Sequence, residues 1–149
     1  VMGTNIAKDL LTDNHKSSEQ KLWRHVILHA FEDAKIETSD RKSSVYKWDA
    51  HKWLLGNDDN FESVCWWSGW DPEEVTSRYK KGINNKLITF NQRQVSWIKY
   101  TKLFHKYKKS KDKESRKYLL KQVDSARKNV FHATTALVQT VFIYSLING

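Results

Sequence analysis

His25, His29 and Asp33 recur at four-residue steps and would fall on one side of a helix, a spacing that metal-binding faces use. No second pair of ligands accompanies them, and histidines at the edge of an apolar stripe more often pack than ligate, so no metal site is expected. His51 stands near Asp49, while His105 and His132 are isolated. Cys65 is the single cysteine, which excludes an intramolecular disulfide and a cysteine-based zinc site and suits a reducing, cytoplasmic compartment. No nucleophile elbow, phosphate-binding glycine loop or dinucleotide fingerprint occurs. These residues point to a non-enzyme that needs no cofactor.

Charge carries more information than any of these groups. The 149 residues hold 26 basic and 17 acidic side chains, a formal net charge of +9. Up to Ile98 the count is 14 of each sign, whereas Lys99 to Lys128 holds 12 basic against 3 acidic residues, and Asn129 to Gly149 holds none of either. Lys99, Lys102, Lys106, Lys109 and Lys113 recur at three- and four-residue steps, so on one continuous helix they form a single stripe. Trp97, Tyr100, Phe104 and Tyr107 make a neighbouring aromatic stripe. Lys117, Lys121 and Lys128 repeat the pattern further on, with Arg116 and Arg127 beside them. A cationic ridge of this kind tracks phosphates and releases counterions, giving salt-sensitive, sequence-blind affinity for duplex DNA. Its bland counterpart is a solvated face laid over an aromatic core.

The elements that must position these residues read as helix almost throughout. Hydrophobic residues make up 39% and aromatics 13%, with five Gly, one Pro and seven Trp, which fits an all-α bundle rather than a turn-rich β fold. In Ser18–Glu37, Trp23, Val26, Ile27, Ala30, Phe31 and Ala34 follow the spacing of one buried stripe, with Ser17 or Ser18 as cap. A second helix is expected after Ser43 or Ser44 and up to Gly56, with Val45, Trp48 and Trp53 inward. Asn57–Asn60 reads as a turn, Phe61–Ser68 as a third helix closed by Gly69. Asp71-Pro72-Glu73-Glu74 opens a fourth helix with Asp71 as N-cap, Pro72 at N1 and Glu74 completing a capping-box-like pair; Gly82 is its expected left-handed stop. A long helix over Gln92–Lys109 buries Trp97, Tyr100 and Phe104. After a break near Ser110–Lys113, a further helix carries Tyr118, Leu119, Val123, Ala126 and Val130. Residues 1–82 and 83–149 are the candidate domains, with continuity into one domain as the alternative. No leader pattern is read at the start of the sequence, so no secretory signal is expected.

The stretch FESVCWWSGWDPEEVTSRYKKG places two short helices about a tight turn, with Cys65, Gly69 and Val75 at the small, turn and inner-face positions. It resembles the helix-turn-helix of lactose-repressor-type and related DNA-binding proteins over about 20 residues. The resemblance implies that Thr76, Ser77, Arg78, Lys80 and Lys81 approach DNA, alongside phosphate contacts from Lys99, Lys102, Lys106, Lys109, Lys113, Lys117 and Lys121. It departs from the pattern at the base-reading end, where Asp71, Glu73 and Glu74 are carboxylates, and at Trp66 and Trp67, which are large for a first helix. An αα-corner that only packs a core is the other reading. Trp53-Leu54, Phe61, Val64-Cys65, Gly69 and Asp71-Pro72 further resemble small phage- and prophage-borne proteins.

Asn129–Gly149 is long enough to cross a bilayer, yet His132, Thr134, Thr135, Gln139, Thr140 and Ser145 dilute it, which disfavours membrane insertion. One apolar helix, buried or joining subunits, is expected instead, with Val130, Ala133, Leu137, Val141 and Tyr144 as a heptad-like seam. The reading as a whole is an all-α, homo-oligomeric DNA-binding protein of phage or mobile-element type, a transcriptional regulator or a small packaging-terminase-like subunit. The alternative is a non-enzymatic interaction or effector protein whose basic ridge meets an acidic protein or membrane surface.

Overall fold

The computed structural model describes residues 17–56 and 58–147; the expectations about the start of the sequence, Asn57 and the last two residues lie outside the described residues. The fold is all-helical, at 77% helix, with no strand among the described residues. Contacts divide the chain into two units, residues 17–36 with Tyr46–Thr89, and Glu37–Val45 with residues 90–147. No helix among the described residues is long and apolar enough to cross a membrane.

The first unit holds α1 (Ser18–Ala34), most of α2 (Arg41–Leu54), α3 (Asp59–Ser68) and α4 (Pro72–Asn84). Ser17 caps α1 by accepting from the Gln20 amide at 3.1 Å. Ile27, Phe31 and Ala34 are buried as the stripe predicts, but Val26 is 38% exposed and Trp23 and Ala30 are half-buried. Arg24 is buried in their place: its Nε donates to the Ser68 carbonyl at 2.8 Å and its guanidinium lies over the Trp70 ring at 5.1 Å. A charged side chain thus enters the stripe because the turn after α3 leaves a carbonyl that needs a donor.

In α2, Trp48 and Leu54 are buried, whereas Val45 and Trp53 are only half-buried. His51 is fully buried, with its Nδ1 2.6 Å from the Tyr79 hydroxyl. Tyr79, itself fully buried, also meets the Phe31 ring edge-to-face at 5.8 Å. Lys47 is 1% exposed, and its ammonium donates to the carbonyls of Ile36, at 2.6 Å, and Thr89.

Gly69 ends α3 with φ +80°, and the Trp70 amide closes the turn on the Cys65 carbonyl at 2.9 Å. A Cβ there would stand 2.9 Å from Gln20 Nε2, the movable tip of a side chain. The left-handed backbone therefore dominates the cost of Gly69→Ala, expected at about 1–2 kcal/mol and read as a lowered urea midpoint with unchanged m-value. Gly82 does not stop α4. It is buried inside the helix, because Val75, Tyr79, Gly82 and Ile83 continue one inner face past it. Asn85 follows as C-cap and Lys86 takes the positive φ, 61°. Nor does Glu74 complete a capping box: Asp71 caps through the Glu73 amide at 3.0 Å, and Glu74 pairs with Arg78 at 2.9 Å.

The second unit is built on α5 (Gln92–Lys109) and α6 (Lys113–His132), which pair through Tyr100, Val123, Ala126 and Val130 with Trp97, Leu103, Phe104 and Tyr107 packed around them. Asn91 and Gln94 form a reciprocal capping box at the start of α5. The expected single apolar helix over the tail is not formed. Helix α6 ends at His132, residues 133–139 run without helix, and only α7 (Thr140–Ile143) and a 3-10 turn (Tyr144–Ile147) follow. The heptad-like seam is therefore split over separate segments. The extended stretch does what a helix could not: the Ala136 and Thr134 carbonyls accept from the Gln92 and Arg93 amides at 2.9 and 3.0 Å, satisfying the open first turn of α5.

Candidate functional site

The sequence offers two candidate surfaces, the corner of α3 and α4 and the hairpin of α5 and α6; each lies in its own unit.

Cys65 and Val75 are buried and Gly69 is left-handed. Burial, with Asp71 and Glu62 nearby, pushes the Cys65 thiol up to about 12, so it stays protonated at neutral pH. The outer face of α4 is less suited to a polyanion. Thr76 Oγ1 donates to the Leu54 carbonyl at 3.1 Å, and Arg78 is held by Glu74. Ser77, Lys80 and Lys81 are exposed. An open groove of about 900 Å³ runs in front of the N-terminal turn of α4, lined by Asp58, Asp59, Glu62, Asp71 and Glu73 besides Thr76, Ser77 and Lys80. Five carboxylates around the end that a recognition helix turns toward bases repel phosphates there. Trp66 and Trp67, the residues too large for the pattern, are accommodated by exposure at 59% and 51%.

The hairpin is different in kind. Because α5 is continuous, Lys99, Lys102, Lys106 and Lys109 do share one face; Lys113 does not extend it, since the helix breaks at Ser110 and Lys113 opens α6. Lys117, Lys121 and Lys128 lie on one exposed face of α6, with Asp124 among them. Lys102 is half-buried and donates to the Leu146 carbonyl at 3.0 Å, which ties down the tail. Among the described residues no carboxylate pairs with Lys99, Lys106, Lys109, Lys113, Lys117, Lys121 or Lys128, and all seven are exposed.

Beneath the lysines the aromatic stripe is a core element, not a row of open platforms. Tyr100 is buried, and its ring stacks on Phe104 at 6.0 Å with 14° between planes. Cations cover the stripe's outer edge. Arg41 lies over Tyr100 and Phe104, Arg127 over Tyr100, Lys108 over Phe104, and Arg116 over Tyr107. The sequence pattern misses Arg41, which comes from the start of α2, remote in the chain; only the fold brings it to Tyr100. His29 Nε2 stands 3.6 Å from Asp33 Oδ2, and no group of three metal-ligating side chains gathers among the described residues.

Comparison with protein-family models, with curated protein sequences and with solved structures finds no match to this chain.

Proposed function

We propose that this chain is a DNA-binding protein whose α5–α6 hairpin holds the phosphate backbone. One observation carries the reading: seven exposed lysines, none of them ion-paired among the described residues, share a two-helix unit on an aromatic core. Cations left without carboxylates repel one another, and a polyanion relieves that repulsion while releasing its own counterions. The binding is chiefly sequence-blind, because these contacts are to phosphate and none of the seven needs a base edge. In this reading the helix-turn-helix-like corner contributes packing geometry first, since its groove is acidic. A transcriptional regulator and a small packaging-terminase-like subunit of phage or mobile-element type both fit this plan.

A titration of a fluorescent duplex with the full chain, repeated from 50 to 300 mM salt, tests the proposal. The expected log–log slope is about −4.5 to −6.3, from roughly five to seven phosphate contacts at about 0.9 each. A flat salt response sinks it.

A second reading, an anionic membrane surface, is favoured by the apolar side chains set among these cations. Leu120 and Phe131 on α6, and Leu137, Val141 and Phe142 in the tail, are 43–75% exposed. Sedimentation with phosphatidylserine vesicles that a competing duplex does not reverse would select it.

A further inference from the structure

We infer that Arg41, Arg127 and Lys108, gathered on the Tyr100–Phe104 ring stack, form a binding point for a single phosphate group, taken from a nucleic-acid backbone in the reading on which this inference rests. Lys108 reaches Phe104 through the i, i+4 spacing of α5, whereas Arg41 and Arg127 come from α2 and α6, so the fold and not helical periodicity brings those two to the rings. Arg41 Cζ is 5.2 Å from the Tyr100 ring centre and 5.6 Å from that of Phe104. Arg127 Cζ is 5.8 Å from the Tyr100 centre, and its Nη2 donates to the Tyr100 hydroxyl at 3.3 Å. Lys108 Nζ is 4.9 Å from the Phe104 centre.

Tyr100 is buried against Ala126 and Val130, so the platform under these cations is rigid. A guanidinium laid on a ring loses torsional freedom before any ligand arrives, and it keeps N–H groups for a bidentate anion. All three cations are exposed. None forms an ion pair with a carboxylate among the described residues; Asp124 acts on Arg127 only at longer range. Ring faces offset part of the mutual repulsion of these cations, and a tetrahedral dianion or diester would offset the rest. The planar fork suits phosphate oxygens, whereas the flexible lysines of the ridge act as point charges.

The experiment compares the full chain with Arg41→Gln/Arg127→Gln and with Arg41→Lys/Arg127→Lys, using a duplex across salt and inorganic phosphate followed by arginine Nε–Hε resonances. The glutamine pair is expected to reduce the salt slope by about 2 and the affinity about 20- to 30-fold near 0.15 M salt. The lysine pair keeps the ring contact and the charge, so it is expected to keep the slope while losing severalfold in affinity. Inorganic phosphate is expected to shift the Arg41 and Arg127 resonances in the unsubstituted chain. A glutamine pair that binds the duplex with unchanged slope and affinity overturns this inference and leaves the nucleic-acid reading standing. A chain that binds no duplex overturns that reading, and the phosphate titration then decides alone: shifts at both arginines uphold the anion point, and their absence overturns it.

Discussion

Replacing Lys106, Lys117 and Lys121 together by Glu is expected to weaken duplex binding by roughly four orders of magnitude at 0.15 M salt. Each lost phosphate contact removes about 0.9 from the salt slope, worth about fivefold near that salt concentration, and each introduced carboxylate repels the backbone by a comparable amount. The three are chosen because they are exposed, unpaired with carboxylates and on both helices of the hairpin. Lys102 is left alone, since its ammonium holds the Leu146 carbonyl and its loss would disturb the tail as well as the charge. Stability should change little, because exposed substitutions away from caps and cores stay within about 0.5 kcal/mol each, and reversal also lowers the local repulsion. Anisotropy titration with a thermal melt of the same sample separates the two effects. If the triple variant binds as tightly as the unsubstituted chain, the hairpin is not the DNA surface.

What could be read in advance follows from how local its cause is. The bounds of α5 are legible in the sequence as a run over Gln92–Lys109 with a break after it; the reciprocal cap of Asn91 and Gln94, which the structure adds, is the local cause of its start. The turn at Gly69 is equally local, being set by one backbone angle. The lysine face of α5 needs only a continuous helix to exist. By contrast, Gly82 is where local propensity lost to tertiary packing, because burying Ile83 beyond it outweighs the helix-breaking tendency of glycine. The tail misleads for a related reason. Its apolar residues suggest helix, yet the carbonyls of Thr134 and Ala136 go to the first turn of α5, partners set far away in sequence. Arg41 on Tyr100 and Lys47 between two carbonyls are invisible for the same cause, since nothing near either residue in the chain announces its partner. In the corner, the sequence shows the carboxylates at Asp71 and Glu73; only the fold adds Asp58, Asp59 and Glu62 to the same groove.

Lys47→Ala is expected to be the most destabilising single change in the first unit, at about 3–5 kcal/mol. The side chain is 1% exposed, so truncation removes three buried methylenes and the ammonium and opens a cavity. It also takes the ammonium donor from the part-buried carbonyls of Ile36 and Thr89, and a carbonyl left unsatisfied costs about 1–3 kcal/mol. Those two residues are where the chain leaves this unit, Ile36 before the segment Glu37–Val45 and Thr89 before Phe90. One ammonium therefore fastens both exits, and α2 supplies it from its first turn within the unit. Lys47→Met restores most of the volume without the donors, so it should recover about half of the loss; a Met variant as weak as Ala would place the cost in hydrogen bonding rather than packing. Urea unfolding followed by tryptophan fluorescence measures both. A loss below about 1 kcal/mol for Lys47→Ala would mean that water or another donor takes over at the two carbonyls, and that the exits are held by the surrounding apolar contacts instead.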